Sequence, residues 1–172
     1  MKAKILKFLK GTAVLFLLSV LLTACPYSSN VPIDEGTVKI DSKVEGKWML
    51  QTDAESEFPS YFDISFDDSY HVTAKKMEYS EMDESYSETV YKLTFSDVDG
   101  ETFMNAIEEE GVVYNIYKFD YNTDTDDITL TEVTEYIKET FENSNDLKKF
   151  VSENKVHSFF YSNSNELYIR KL

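Results

Sequence analysis

YFDISFDDSYHVTAKKMEY, residues 61–79, decides the fold. Phe62, Ile64 and Phe66 alternate with polar neighbours, which gives an extended segment one apolar face. Asp67-Asp68-Ser69 is a turn by composition. Beyond it Tyr70, Val72 and Ala74 alternate against His71, Thr73 and Lys75. Period two on both sides of a turn predicts a β-hairpin with one buried face.

The same pattern extends outward. GKWMLQT (46–52) reads as a strand, SEMDES (80–85) as an acidic link, and TVYKLTF (89–95) as another strand. Val98-Asp99-Gly100 turns the chain into TFMNAI (102–107), a strand or a short helix. EEEG (108–111) turns it again. VVYNIYKFDY (112–121) is β by composition, and DITLTEV (127–133) returns after a polar loop. Hairpins at short, regular spacing predict an all-β, mainly antiparallel barrel or sandwich. The exception lies late in the chain. In SNDLKKFVSENK (144–155), Leu147, Phe150 and Val151 fall at i, i+3 and i+4, and Ser144 or Asn145 is a capping residue, so a helix is expected. TEYIKETFE (134–142) is ambiguous between strand and helix. HSFFYS (157–162) and ELYIRKL (166–172) read as a closing strand pair.

The N-terminus is of another kind. Lys2, Lys4, Lys7 and Lys10 precede an uncharged run from Gly11 to Ala24. A bilayer-spanning helix needs roughly 20 apolar residues, so a basic start followed by a short apolar run reads as a secretory signal. Leu22-Thr23-Ala24-Cys25 resembles the lipobox of bacterial lipoproteins. The resemblance implies a diacylglycerol on Cys25 and cleavage before it, and more than one acyl chain gives stable anchoring. Cys25 is the only cysteine, so no disulfide is expected. The expected organisation is a signal peptide over 1–24, a flexible tether over 25–43 and a barrel domain over 44–172. The expected location is the bacterial cell envelope, attached to the membrane through the lipid. Pro26 follows the cysteine where some enteric lipoproteins carry an inner-membrane retention aspartate, which favours an outer membrane if the host has two.

Charge excludes one class of partner. The chain carries a net charge of −15, and without residues 1–24, which hold four lysines and no acid, the balance becomes −19. Such a surface repels nucleic acid. Of the 12 Phe and 12 Tyr only Phe8 and Phe16 lie in the leader, so the remainder is a folded domain with an aromatic core or cavity and not an acidic disordered tail.

The element order and one local motif resemble the lipocalin-like (calycin) barrels: about eight or nine antiparallel strands with one C-terminal helix before the last strand pair. Val44-Glu45-Gly46-Lys47-Trp48 resembles the lipocalin Gly-x-Trp. The resemblance implies that Trp48 plugs the closed end of the barrel and that Arg170, the only arginine, packs over it. It also implies an interior ligand. Tyr91, Tyr114, Tyr117 and Tyr161 are the candidate polar groups of that cavity.

Little else points to chemistry. His71 and His157, the only histidines, have no local spacing of ligands for zinc. Asp120, Asn122, Asp124 and Asp126 resemble the first half of a calcium loop, but Thr125 stands where such loops carry the sharp-turn glycine. The acidic run from Glu78 to Glu88 reads as a solvated link. No nucleophile elbow, phosphate loop or Cys–His pair is present, so no enzyme and no cofactor is expected. Two functions remain. One is a lipid-anchored, monomeric binding module holding a small apolar or amphipathic ligand. The other is a filled barrel whose acidic surface meets a basic envelope or secreted protein.

Overall fold

A computed structural model describes residues 27–134 and 136–171. The expectations for residues 1–26, lipidation of Cys25 and the reading of Pro26 included, lie outside the described residues. The elements in chain order are β1 (Ser28–Ser29), β2 (Gly46–Leu50), β3 (Tyr61–Phe66), β4 (His71–Ser80), β5 (Ser85–Val98), β6 (Glu101–Glu108), β7 (Tyr114–Asn122), β8 (Asp127–Val133), helix α1 (Ser144–Asn154) and β9 (Tyr161–Arg170). From β2 to β9 each strand pairs antiparallel with the next, and β9 pairs back onto β2. The result is a closed eight-stranded barrel, with β1 added on β7 beside it. Closure removes the sheet edges that would otherwise be exposed.

Turn chemistry sets the hairpins. Asp68 Oδ1 accepts from the N–H groups of Tyr70 and His71, at 2.7 and 2.9 Å, and folds the β3–β4 turn. At Asp99-Gly100 both residues have positive φ, +52° and +83°, the geometry a two-residue hairpin needs. The acidic link 80–85 contracts to the tight β4–β5 turn, and 102–107 is strand, not helix. The runs 157–162 and 166–172, expected as a strand pair, instead give a single 3-10 turn at Ser158–Phe160 and one continuous strand, β9. Helix α1 therefore precedes one final strand. Its cap is Asn143, whose side chain accepts from the Asp146 N–H at 3.0 Å, one residue ahead of the expected caps.

Two cores lie back to back through the barrel wall. The inner one contains Trp48, Ile64, Val72, Leu93, Phe95 and Phe119. The outer one packs Leu147 and Val151 of α1 with Tyr27, Ile33, Phe103, Ile116 and Phe160 on the outside of the barrel. Full burial of such a side chain contributes about 1.5–3 kcal/mol.

The expected tether is corrected from Tyr27 onward. Tyr27 and Ile33 are buried, at 5% and 0% exposure, and the stretch follows the barrel wall. The Ile33 N–H donates to Oδ1 of the fully buried Asn105 at 2.8 Å, and Asn105 Nδ2 donates to Ser96 Oγ at 3.0 Å. Ser96 donates in turn to Asp34 Oδ1 at 2.6 Å, while Lys148 of α1 meets Asp34 Oδ2 at 2.8 Å. Burial pushes the Asp34 carboxyl up, but hydrogen bonds from Lys148, Ser96 and the Gly36 N–H outweigh it and hold it below the ordinary value. This network joins the N-terminal stretch, the barrel wall and the helix.

Candidate functional site: the barrel interior

The antiparallel order puts the β3–β4, β5–β6 and β7–β8 turns at one end of the barrel and the β2–β3, β4–β5, β6–β7 and β8–β9 connections at the other.

The first end is closed. Trp48, 1% exposed, donates from Nε1 to the Val44 carbonyl at 2.7 Å. The Arg170 guanidinium carbon lies 4.0 Å from the centre of its ring, and the Tyr121 ring meets it edge-on at 6.2 Å. Arg170 is held by the carbonyls of Glu45 (2.6 Å) and Lys43, and by Asp126, with Nε 2.9 Å from Oδ2. A planar fork with fixed donors suits this site better than a lysine would. Gly46 explains the first residue of the Gly-x-Trp stretch. Its φ is +122°, and a Cβ there would stand 2.8 Å from Arg170 Nη1.

Above this plug the interior is hollow. A cavity of about 270 Å³ is walled by Trp48, Ile64, Leu93, Phe95, Phe119 and Ile128. Nearer the second end the lining becomes polar, with Lys76, Tyr91, Tyr117, Glu132, Glu166 and Tyr168. Phe62 lies among these rings, 6.4 Å from Tyr91 and 5.8 Å from Tyr168, centre to centre.

The electrostatics of this ring follow from burial. Tyr168 donates to Glu166 Oε2 at 2.7 Å, and Tyr91 to Glu108 Oε1 at a longer 3.4 Å. Burial pushes the Tyr117 and Tyr168 phenols well above the ordinary tyrosine value, and nearby glutamates push the same way. Both stay neutral donors at physiological pH. Burial likewise raises the Glu132 carboxyl, Glu166 adds repulsion, and a hydrogen bond with Ser162 offsets part of this. Among the described residues neither Glu132 nor Glu166 has a cationic partner. Lys76, the one cation lining the cavity, lies 2.8 Å from Glu78.

Of the four tyrosines read as candidates, the structure brings two into the cavity, Tyr91 and Tyr117. Tyr114 and Tyr161 face the opposite side of the wall and pack on the outer core. Tyr168, Glu132 and Glu166 were not among the candidates. Strand parity carries the signal for two of them: if Arg170 points inward, Tyr168 and Glu166 on the same strand do too. The stretch from Asp120 to Asp126 holds the end of β7 and the turn that follows it. The segment is the β7–β8 hairpin, Asp126 is engaged by Arg170 and Tyr121, and Asn122 Oδ1 accepts from the Asp124 N–H. Among the described residues no three His, Cys, Asp or Glu side chains group closely enough to hold a metal. His71 is exposed beside Asp68 at 2.8 Å, and His157 stacks on Phe159.

Fold and site together define a hollow, one-ended antiparallel β-barrel with an apolar floor and a tyrosine–glutamate mouth. No family model, curated protein or solved structure matches this chain.

Proposed function

We propose that this protein is a binding module that holds a small apolar or amphipathic ligand inside a lipocalin-like barrel. In this reading it is tied to the bacterial cell envelope by lipid on Cys25. One observation carries it: a closed barrel, plugged at one end, keeps a cavity of about 270 Å³ that is apolar below and ringed by neutral phenols and carboxylates above. Ligand sites are usually concave, mostly apolar and provided with a few placed polar groups. Small barrels filled by their own side chains leave no such space. The cavity therefore favours a carrier over the alternative of a filled barrel acting through its acidic surface.

The test is native mass spectrometry of the full chain, purified gently from the membrane fraction of the cells that make it. A reproducible bound mass that leaves on denaturation supports a carrier and gives the ligand's class. A bare mass, together with no change in melting temperature on adding envelope lipid extract, overturns it.

A further inference from the structure

We infer that the cavity takes a cationic amphipath: an apolar chain or ring system whose ammonium group sits beside Glu132 and Glu166, within the aromatic ring of Phe62, Tyr91, Tyr117 and Tyr168. The inference rests on the carrier reading above and names its ligand class.

Three independent features lead to it. The first is the floor. Trp48, Phe95 and Phe119 are buried and apolar, so the deep part of the cavity accepts hydrocarbon and offers no charge to meet. The second is the pair of carboxylates. Glu132 on β8 and Glu166 on β9 lie on adjacent strands, with Glu166 opposite Leu130, two residues from Glu132. Each has a hydroxyl neighbour, Ser162 and Tyr168 respectively, but among the described residues no cation pairs with either, and Glu166 repels Glu132. A hydroxyl donor stabilises a carboxylate only partly, and a positive charge would remove the repulsion outright. The third is the collar of aromatic rings that line the mouth, Phe62, Tyr91, Tyr117 and Tyr168. Aromatic rings around a space, with negative charge beside it, are the arrangement that binds alkylated ammonium groups, and the contact strengthens on desolvation.

The competing ligand classes fit worse. A fatty acid would bring a third carboxylate against Glu132 and Glu166. Lys76 is paired with Glu78 at 2.8 Å and would have to leave that partner to meet the added charge. A neutral ligand would displace water from the carboxylates and give them nothing in return. The field of the whole molecule acts in the same direction, since a net charge of −15 draws cations toward a low-dielectric cleft.

The test compares head groups on one tail. The full chain is kept soluble in a non-ionic fluorinated surfactant, which does not mix with hydrocarbon, and is titrated calorimetrically with octylammonium, octanol and octanoate at pH 7. Octylammonium is expected to bind at least about tenfold more tightly than octanol, with octanoate weakest. The double variant Glu132→Gln/Glu166→Gln should abolish that preference, bringing octylammonium and octanol to similar affinity. Equal or tighter binding of octanol or octanoate overturns the cationic inference and leaves the carrier reading standing. A preference for octylammonium that survives in the double variant assigns the binding to the acidic surface and also overturns it. If none of the three compounds binds, the carrier reading itself fails.

Discussion

The two ends of the barrel both combine aromatic rings with charged groups and differ in how those charges are satisfied. At the closed end Arg170 faces Trp48, two backbone carbonyls and Asp126, so nearly every donor of its fork has a partner. At the open end three carboxylates (Asp53, Glu132 and Glu166) and four phenols (Tyr61, Tyr91, Tyr117 and Tyr168) line a cavity with one cation, itself already paired. A buried polar group without full compensation costs stability, and such costs persist where function needs them. The difference divides the molecule into a part that holds the fold and a part left free to meet something else. Substitutions at the first end should change stability. Substitutions at the second should change binding and leave stability nearly unchanged or improved.

The largest effect tests the closed end. Trp48→Ala should cost about 3–5 kcal/mol in denaturant unfolding, through the cavity it leaves under Arg170 and Tyr121. A loss below ~1 kcal/mol, less than the transfer free energy of even one large buried side chain, would mean that the plug does not organise the barrel. Gly46→Ala comes next. It forces a side chain into φ +122° and against Arg170 Nη1. A cost of about 1–3 kcal/mol is expected, and it should shrink in an Arg170→Ala background, where the clash is gone but the backbone strain stays.

The contrast between the ends also tracks what could be read in the sequence. The closed end was legible through the resemblance carried by Gly46 and Trp48, which implied Arg170 as the partner of the tryptophan, and through the Asp-Gly and Asp-Asp turns that fix the hairpins. The open end depends on which face of each strand is inside, and period two answers that only once a strand is anchored. Tyr114 and Tyr117 differ by an odd number, so one regular strand cannot point both inward. Tyr161 lies nine residues from Arg170 on β9, an odd number, so once Arg170 is known to point inward the same counting puts Tyr161 outside, where it packs on the outer core. The stretch from Tyr27 to Lys43 looked like a tether because its Ser, Asn and Pro content is that of a loop. Its order comes from Asn105 and Lys148, partners 72 and 114 residues away, which no local window contains.

At the open end the expected stability effects are small. Tyr168→Phe removes the phenol that donates to Glu166 and should cost no more than about 1.5 kcal/mol in denaturant unfolding. The same change should weaken binding of octylammonium, since it alters the ring around the head group. A loss of stability as large as that of Trp48→Ala would erase the distinction between the ends.

The smallest effect has the most informative sign. Burial and Glu166 raise the Glu132 carboxyl above its ordinary value of 4.5, whereas Lys118 and Lys155, at 2.6 and 2.7 Å, hold the Glu101 carboxyl below it. For Glu132 the folded chain keeps its proton to higher pH than the unfolded chain. Its contribution is therefore complete below 4.5 and lost as pH rises through the folded value. For Glu101 the contribution is present above 4.5 and lost as pH falls through the folded value. Glu132→Gln in the ligand-free chain should thus match the parent near pH 4 and melt higher at pH 7, whereas Glu101→Gln should melt lower at pH 7 and approach the parent in acid. Scanning calorimetry at the two pH values reads both. Among the described residues the groups facing Glu132 are Glu166 of β9, Tyr117 of β7 and the Ser162 hydroxyl, so adding Glu166→Gln should remove much of the gain. If Glu132→Gln instead melts lower at pH 7, the carboxylate is already compensated in the folded chain. The open end would then be as fully satisfied as the closed one, with no charge left for a ligand to meet.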